Sequence, residues 1–417
     1  MGSRPKHFFI FSNSGGCPQN QLDGGRIVRY LQNNNYVCNN NIDDCEIIII
    51  NSCSYNNLKE KQSFEETLKA YNSGRKKKLI ILTGCLPKIA PHLLNDLPEN
   101  IRVIPGTELE KIEAIIPPVK SKLDQIHINY IPEPLFQYSK SFRRFIYNSL
   151  SFIRHTLPLK TVYHIDQLFM YDHTPRSFIV EICKGCLGNC AYCVIRHSRG
   201  RLKSRPADEI INEIKTGIEN NVKEILLTAT ESAAYGLDIG TSLSGLLNQI
   251  LEIIKDQHLL IFYANPRWLI NDWDNLKSIF ATGKIHFIHL SLNGGSNSVL
   301  ERMNRGYTLE KFENLIRSIK QSSPETVIQT QVITGFPGET EDDFATTLDF
   351  FKRNYFHNVQ VHAFDSRKGA EASTMTDQIS DEVKKKRRRV LYRLTLKRKV
   401  LYNMKYILRG FQPVQDL

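Results

Sequence analysis

The sequence predicts an α/β protein in two successive parts, a doubly wound parallel sheet at the N-terminus and then a second series of βα units. Two patterns carry that prediction. Short apolar, β-prone runs alternate with helix-like stretches along most of the chain, as parallel strands joined by helical crossovers do. The first three runs also end beside a cysteine in a turn of small residues, the position where open α/β sheets gather ligands. Size and composition agree. A chain of 417 residues with 41% hydrophobic and 24% charged residues has material for two or three well-packed domains, which excludes a single small module and wholesale disorder.

In the first part, residues 1–128, the apolar runs are 8–12, 46–51 and 79–83, each followed by a small-residue turn and a helix-like stretch. The turns read Ser14-Gly-Gly-Cys17, Asn51-Ser-Cys53 and Thr83-Gly-Cys85. A shared position at the carboxyl ends of parallel strands would bring Cys17, Cys53 and Cys85 to one sheet edge as a three-thiolate site. The bland alternative is three unrelated core cysteines, since free cysteine is commonly buried. Residues 129–177 follow as a linker or lid, in which Phe136, Tyr138, Phe142, Phe145, Tyr147 and Phe152 interleave with Lys140, Arg143, Arg144 and Arg154. Such interleaving serves to stack bases and neutralise phosphates, to cover a cavity as an amphipathic helix, or to line a peptide groove. The central part, 178–380, repeats β-prone runs at 178–183, 225–228, 259–263, 287–292, 327–333 and 359–364 between helix-like stretches. Residues 381–417 read as a basic helical segment headed by Lys384-Lys-Lys-Arg-Arg-Arg389.

Nine cysteines, odd in number and unevenly spread, do not read as a disulfide framework and favour thiol chemistry or metal binding. The densest group lies in Glu181-Ile-Cys-Lys-Gly-Cys-Leu-Gly-Asn-Cys-Ala-Tyr-Cys-Val194, at the end of a predicted strand. Within it the C-x3-C-x2-C spacing of Cys186, Cys190 and Cys193 wraps three thiolates around a loop that Gly185 and Gly188 help to turn. Three thiolates on a 4Fe–4S cube leave one iron open, and an open iron implies chemistry. Zinc is the alternative. Cys183/Cys186 and Cys190/Cys193 form two C-x2-C pairs, although the usual zinc module separates its pairs by ~15 to 20 residues. Cys38, Cys45 and Cys183 have no comparable placement and read as core residues. The net charge of +12 suits either a polyanionic partner or a solvated basic surface. No apolar run approaches the ~18 residues of a membrane span. The opening Met1-Gly-Ser-Arg-Pro-Lys6 lacks the features of a secretory signal, so a cytoplasmic protein without a membrane partner is expected.

Taken together, these residues resemble the radical S-adenosylmethionine methylthiotransferase family. Tyr192, just before the last loop cysteine, completes a signature similar to that of the radical enzymes. Arg199-Gly-Arg-Leu-Lys-Ser-Arg205, Ala234-Tyr-Gly-Leu-Asp-Ile-Gly240, Arg302-Met-Asn-Arg-Gly-Tyr307 and Gly335-Phe-Pro-Gly-Glu-Thr340 look like family blocks in family order. Upstream, Gly16-Cys-Pro-Gln-Asn-Gln-Leu-Asp23, Asn51-Ser-Cys53 and Gly84-Cys-Leu86 are similar to the cysteine motifs of its N-terminal domain. The resemblance implies two 4Fe–4S clusters, an auxiliary one on Cys17, Cys53 and Cys85 and a radical one on Cys186, Cys190 and Cys193, the latter in an open radical-SAM (β/α) barrel. It also implies S-adenosylmethionine as radical source and methyl donor, chelating the open iron and cleaved by one electron from a flavodoxin- or ferredoxin-like reductase. The substrate radical would then take a methylthio group assembled on the auxiliary cluster. For the cofactor pocket it points to Tyr192 beside the adenine, Glu231 on the methionine amino group, Arg367 or Arg205 on the carboxylate, and the turn from Gly335 to Glu339 against the nucleoside. Their structural alternatives are a packing tyrosine, a helix cap, surface ion pairs and a plain turn.

Two departures bear on the acceptor. The family usually has a proline and a Gln-Ser-Gly run where this chain reads His289-Leu-Ser-Leu-Asn-Gly-Gly-Ser296. Members acting on tRNA or a ribosomal protein normally continue into a small C-terminal β-barrel, and this chain ends ten residues after position 407. A peptide or protein side chain is therefore the expected acceptor. The alternative is C2 of a hypermodified tRNA adenosine, which suits the positive charge and the Ala234 block, the one most like enzymes that modify threonylcarbamoyladenosine. An iron–sulfur electron carrier would need neither two open-iron sites nor a cofactor-sized barrel.

Overall fold

In a computed structural model of the chain, the described residues are 6–12, 17–73, 78–130 and 177–409, apart from the side chains of 406 and 407. The aromatic and basic residues singled out between 136 and 154 lie outside them. The described residues form two compact units, one of 6–130 with Val194–Gly200, the other of 177–193 with 201–409.

The first unit is built on a five-stranded parallel sheet in the order β2-β1-β3-β4-β5, with β1 Lys6–Ser12, β2 Tyr36–Cys38, β3 Ile47–Ser52, β4 Leu79–Gly84 and β5 Ile101–Val103. The predicted runs became β1, β3 and β4. Strand alternation sends Ile47 and Ile49 into one core with Phe8, Ile27 and Leu31, and Ile48 and Ile50 into the other with Ile80 and Leu82. All six residues of β3 are buried, as befits a central parallel strand covered on both faces. The three-residue edge strands β2 and β5 went unpredicted because so short a run shows no periodicity. In register, Ser12, Asn51 and Thr83 lie level across β1, β3 and β4, so the three strands deliver their loops to one edge.

The second unit carries a seven-stranded sheet in the order β12-β11-β10-β9-β8-β6-β7. Its strands are β6 Phe178–Lys184, β7 Lys203–Ser204, β8 Glu224–Ala229, β9 His258–Ala264, β10 Ile285–Asn293, β11 Val327–Thr334 and β12 Asn358–Ala363. Six are parallel and follow one another in chain order, and only the two-residue β7 runs antiparallel, beside β6. The sheet does not close on itself, which is the open form expected. Helices such as Ala207–Glu219, Leu243–Ile253 and Leu309–Ser322 turn apolar faces onto it. At the departure on β10 the register slips between Leu290 and Asn293, and Asn293 takes φ 68°, so the strand end is bulged and re-aimed.

The last helix, Asp381–Leu408, packs against β12 and β11. Its basic run 384–389 is divided between core and surface. Lys384 and Arg387 are buried while Lys385, Lys386, Arg388 and Arg389 are exposed. Lys384 pairs with Asp381 and lies over the Phe364 ring, and Arg387 joins Glu339 at 2.8 Å and Glu341 at 2.6 Å. No helix among the described residues is long and apolar enough to cross a membrane.

Candidate functional site

In the first unit, Cys17 begins the helix Pro18–Asn33, Cys53 directly follows β3 and Cys85 directly follows β4. A lattice of buried amides and hydroxyls fixes these exits. Asn51 donates to Ser12 Oγ (3.2 Å) and the Asn20 carbonyl (2.8 Å), and Asn20 donates back to Asn51 Oδ1 (3.1 Å) and the Ser52 carbonyl (3.0 Å). Ser63 Oγ accepts from the Cys53 amide and donates to its carbonyl, each at 3.0 Å, while the Cys85 amide donates to the Ser52 carbonyl at 3.1 Å. The three cysteines feel one another. Burial pushes the Cys53 thiol up to about 12, with Cys85 and Cys17 adding to the rise. Burial also raises Cys17, against the opposing field of Arg199. That arginine, in the short helix Ile195–Arg199, donates from Nη1 to Asp23 at 2.5 Å and from Nη2 to Cys85 Sγ at 3.7 Å.

In the second unit the cysteine loop leaves β6 as the sequence predicts. The Gly188 amide donates to Cys186 Sγ at 3.1 Å, and the Cys193 amide to the Cys190 carbonyl at 3.0 Å. A Cβ on Gly188 would stand 3.3 Å from Cys186 Sγ and 3.7 Å from Cys190 Sγ, so the missing side chain leaves a cradle between two sulfurs. The Ala191 amide and carbonyl are tied to Met303 and Ala372. Burial first, then Glu231, raises Cys186 to about 12, with Cys193 and Cys190 contributing. Glu231 itself, just beyond β8, is raised by burial to about 7 although its Oε1 accepts the Asn265 amide at 2.9 Å and Arg305 opposes the shift.

Arg305 is the residue that sequence reasoning missed. It lies in a block quoted for the family, yet nothing in the sequence marks it off from its neighbours. It is buried, donates from Nη1 to Cys190 Sγ (3.1 Å) and Tyr192 Oη (3.3 Å) and from Nη2 to Asn265 Oδ1 (3.1 Å), and its buried Nε has no partner among the described residues. Asn293 donates to the same Tyr192 oxygen at 2.7 Å, so the altered end of β10 holds the signature tyrosine. Among the other expected residues, Arg205 is engaged by Glu213 at 2.7 Å, Glu209 at 3.7 Å and the Glu181 carbonyl at 2.7 Å, the ion-pair alternative. Arg367 is buried beyond β12. Gly335, at φ 73°, directly follows β11 and gives its amide to Glu339; its open side is filled by Lys384, which a Cβ would meet at 2.4 Å. Cys38 is half-buried, and Cys45 and Cys183 are fully buried.

A parallel sheet of sequential βα units with a three-cysteine loop at the exit of its first strand defines the radical S-adenosylmethionine class, and the model of the radical SAM superfamily matches residues 180–351. A second model, described as uncharacterized protein family UPF0004, matches residues 10–106. The chain is 31% identical over 399 residues to a probable threonylcarbamoyladenosine tRNA methylthiotransferase of Pyrococcus abyssi, covering 95% of this chain and 86% of that one. It is 29% identical to the ribosomal protein uS12 methylthiotransferase RimO of Geotalea uraniireducens, covering 91% and 79%. Among solved structures, the radical S-adenosylmethionine methyltransferase TsrM of Kitasatospora setae shares the fold, with TM-score 0.55 at 11% identity over 89% of this chain and 75% of that one. The chain belongs to the radical S-adenosylmethionine methylthiotransferase family. Its cofactors are two 4Fe–4S clusters and S-adenosylmethionine. The residues present fit them. Each unit offers three neighbouring cysteines, the Gly188 cradle leaves room between sulfurs, and a buried Arg305 N–H awaits an acceptor.

Proposed function

We propose that this enzyme is a tRNA methylthiotransferase that places a methylthio group at C2 of threonylcarbamoyladenosine, with the radical cluster on Cys186, Cys190 and Cys193 and the auxiliary cluster on Cys17, Cys53 and Cys85. The observation that carries it is the pair of three-cysteine sites, each at strand exits of its own parallel sheet. Hydrogen abstraction alone needs one; attaching sulfur gives the other a task. When bound, the clusters and S-adenosylmethionine supply the one-electron cleavage and the sulfur chemistry.

The protein's share is orientation and exclusion of water. Ionised Glu231, beside Cys186 and held by Asn265, is the acceptor for the methionine ammonium. Tyr192, fixed at its hydroxyl by Asn293 and Arg305, offers a ring wall for the adenine. Arg367 is the partner for the carboxylate, a role closed to Arg205 by its carboxylates. Ala191, Met303, Phe336 and Phe364 pack as one buried cluster with Tyr192 against it, a dry wall beside the loop. A flavodoxin- or ferredoxin-like protein is the electron source.

The choice of tRNA reverses the preference drawn from the sequence. It is supported by the name of the Pyrococcus abyssi relative and by Lys385, Lys386, Arg389, Arg393 and Lys397, all exposed on the last helix, a spacing that sets phosphate-binding charge along one side. A protein acceptor is the second reading, favoured by the likeness to RimO. In cells stripped of their own tRNA methylthiotransferase, the wild-type chain should yield methylthio-threonylcarbamoyladenosine in digested tRNA, and Cys186→Ala or Cys53→Ala should yield none. Unmodified tRNA together with methylthiolated uS12 would transfer the proposal to the second reading.

A further inference from the structure

The first unit contains one side chain that the cysteine chemistry does not require and that the fold goes out of its way to supply. The chain leaves Cys193 and enters Val194–Gly200, a segment that belongs to the first unit. Its helix Ile195–Arg199 packs on the turn Leu86–Ile89 that begins at Cys85. The helix stops at Gly200, whose φ of 76° ends it and whose amide donates to the Arg196 carbonyl at 2.8 Å. Arg199 is thus placed with its side chain 8% exposed against that of Asp23 at 6%, and with its second nitrogen toward Cys85.

A buried guanidinium is tolerated where negative charge compensates it. Asp23 cancels one unit, so the pair alone is neutral. Ionising Cys17, Cys53 and Cys85 around a metal group places three thiolates in the same buried volume, their charge only partly offset by the metal's own, and Arg199 is a cation whose field reaches both Cys17 and Cys85. The fork geometry of arginine lets one nitrogen stay on Asp23 while the other serves a sulfur.

Resting on the auxiliary-cluster assignment above, we infer that Arg199, clamped by Asp23, is a positioning residue that stabilises negative charge on the Cys17/Cys53/Cys85 site and so holds up the reduction potential of the group bound there. A reduced cluster is one charge more negative than an oxidised one, so a nearby fixed cation favours reduction.

The test uses the full chain with Cys186, Cys190 and Cys193 replaced by Ala, so that only the auxiliary site is loaded. Iron is counted, and the cluster is titrated anaerobically with detection by electron paramagnetic resonance. Arg199→Met is expected to disfavour reduction about tenfold, a shift of about 59 mV to lower potential for a one-electron couple, while Arg199→Lys stays near the parent. Asp23→Asn, which leaves the cation less compensated, is expected to shift the potential upward. An unchanged potential in Arg199→Met, an Arg199→Lys value equal to that of Arg199→Met, or an Asp23→Asn value that is unchanged or lowered would overturn the inference. If Arg199→Met folds by circular dichroism but loses its iron, recovery of iron in Arg199→Lys supports the charge role, and loss in both overturns it. Failure of the underlying assignment reads differently, because the parent would then carry no cluster at Cys17, Cys53 and Cys85 to titrate.

Discussion

At the scale of single residues, Gly84 shows how little freedom the proposed auxiliary site has. It closes β4 at φ 91°, immediately before Cys85, and a Cβ there would lie 2.3 Å from the Ser52 carbonyl oxygen. Gly84→Ala combines left-handed strain with a backbone clash and should cost about 2 to 4 kcal/mol, read as a lower Tm, with iron lost from the auxiliary triad and kept at the radical one. Glu231 makes a different prediction. Its carboxyl is raised to about 7 from 4.5, so between those values the folded chain keeps a proton that the unfolded chain has released. The associated stability is full below about pH 4.5, declines as the pH rises and is gone above about 7. Glu231→Gln should flatten this dependence by up to about 3 kcal/mol, measured by urea unfolding of the metal-free protein at pH 5 and pH 8. The six candidate cysteines stood out in the sequence because cluster chemistry would dictate residue type and spacing together. Arg305 and Arg199 did not. Each meets its sulfur across more than a hundred residues of chain, and arginine is common enough on surfaces that only burial reveals it.

The same contrast between inward and outward charge governs whole elements. In the helix Asp381–Leu408, composition announces a basic segment, but helical phase decides which charges are structural. Arg387 is paired in the interior with Glu339, both below a tenth exposed, and Arg387→Met should strand that carboxylate at a cost of about 3 to 5 kcal/mol. Replacing Lys385, Arg389 and Arg393 together by Gln should leave Tm nearly unchanged. It should weaken tRNA binding and reduce the slope of log affinity against log salt by about 0.7 to 0.9 for each phosphate left without its cation. Filter-binding titrations between 50 and 200 mM salt, about the range where such slopes are steep, separate the two kinds of charge. An unchanged slope would take this face out of RNA binding. Strands followed the same rule of legibility. Strands of six or more residues were found, whereas β2, β5 and β7, of three residues or fewer, draw their order from neighbours and leave no pattern of their own.

For the molecule as a whole, two clusters predict about eight irons per chain after anaerobic reconstitution. Exchanging either triad for Ala should leave about half, and the variant lacking Cys17, Cys53 and Cys85 should still cleave S-adenosylmethionine without transferring sulfur. Full iron in either triple variant would remove that triad from the assignment. The alternation of βα units made the two-part organisation readable, but the inclusion of Val194–Gly200 in the first unit was not, since chain order carries no record of a short segment crossing from one core to another. One last feature concerns the cell's competition among metals. Cys183 is wholly enclosed in the core, with its sulfur 3.5 Å from the Glu231 carbonyl oxygen and its thiol raised by burial. The four-thiolate chelate that its spacing with Cys186 advertises to zinc therefore cannot form without drawing the end of β6 out of its sheet. The strand thereby withholds a fourth thiolate, so a four-thiolate zinc site would compete poorly with the three-donor cluster proposed for the loop.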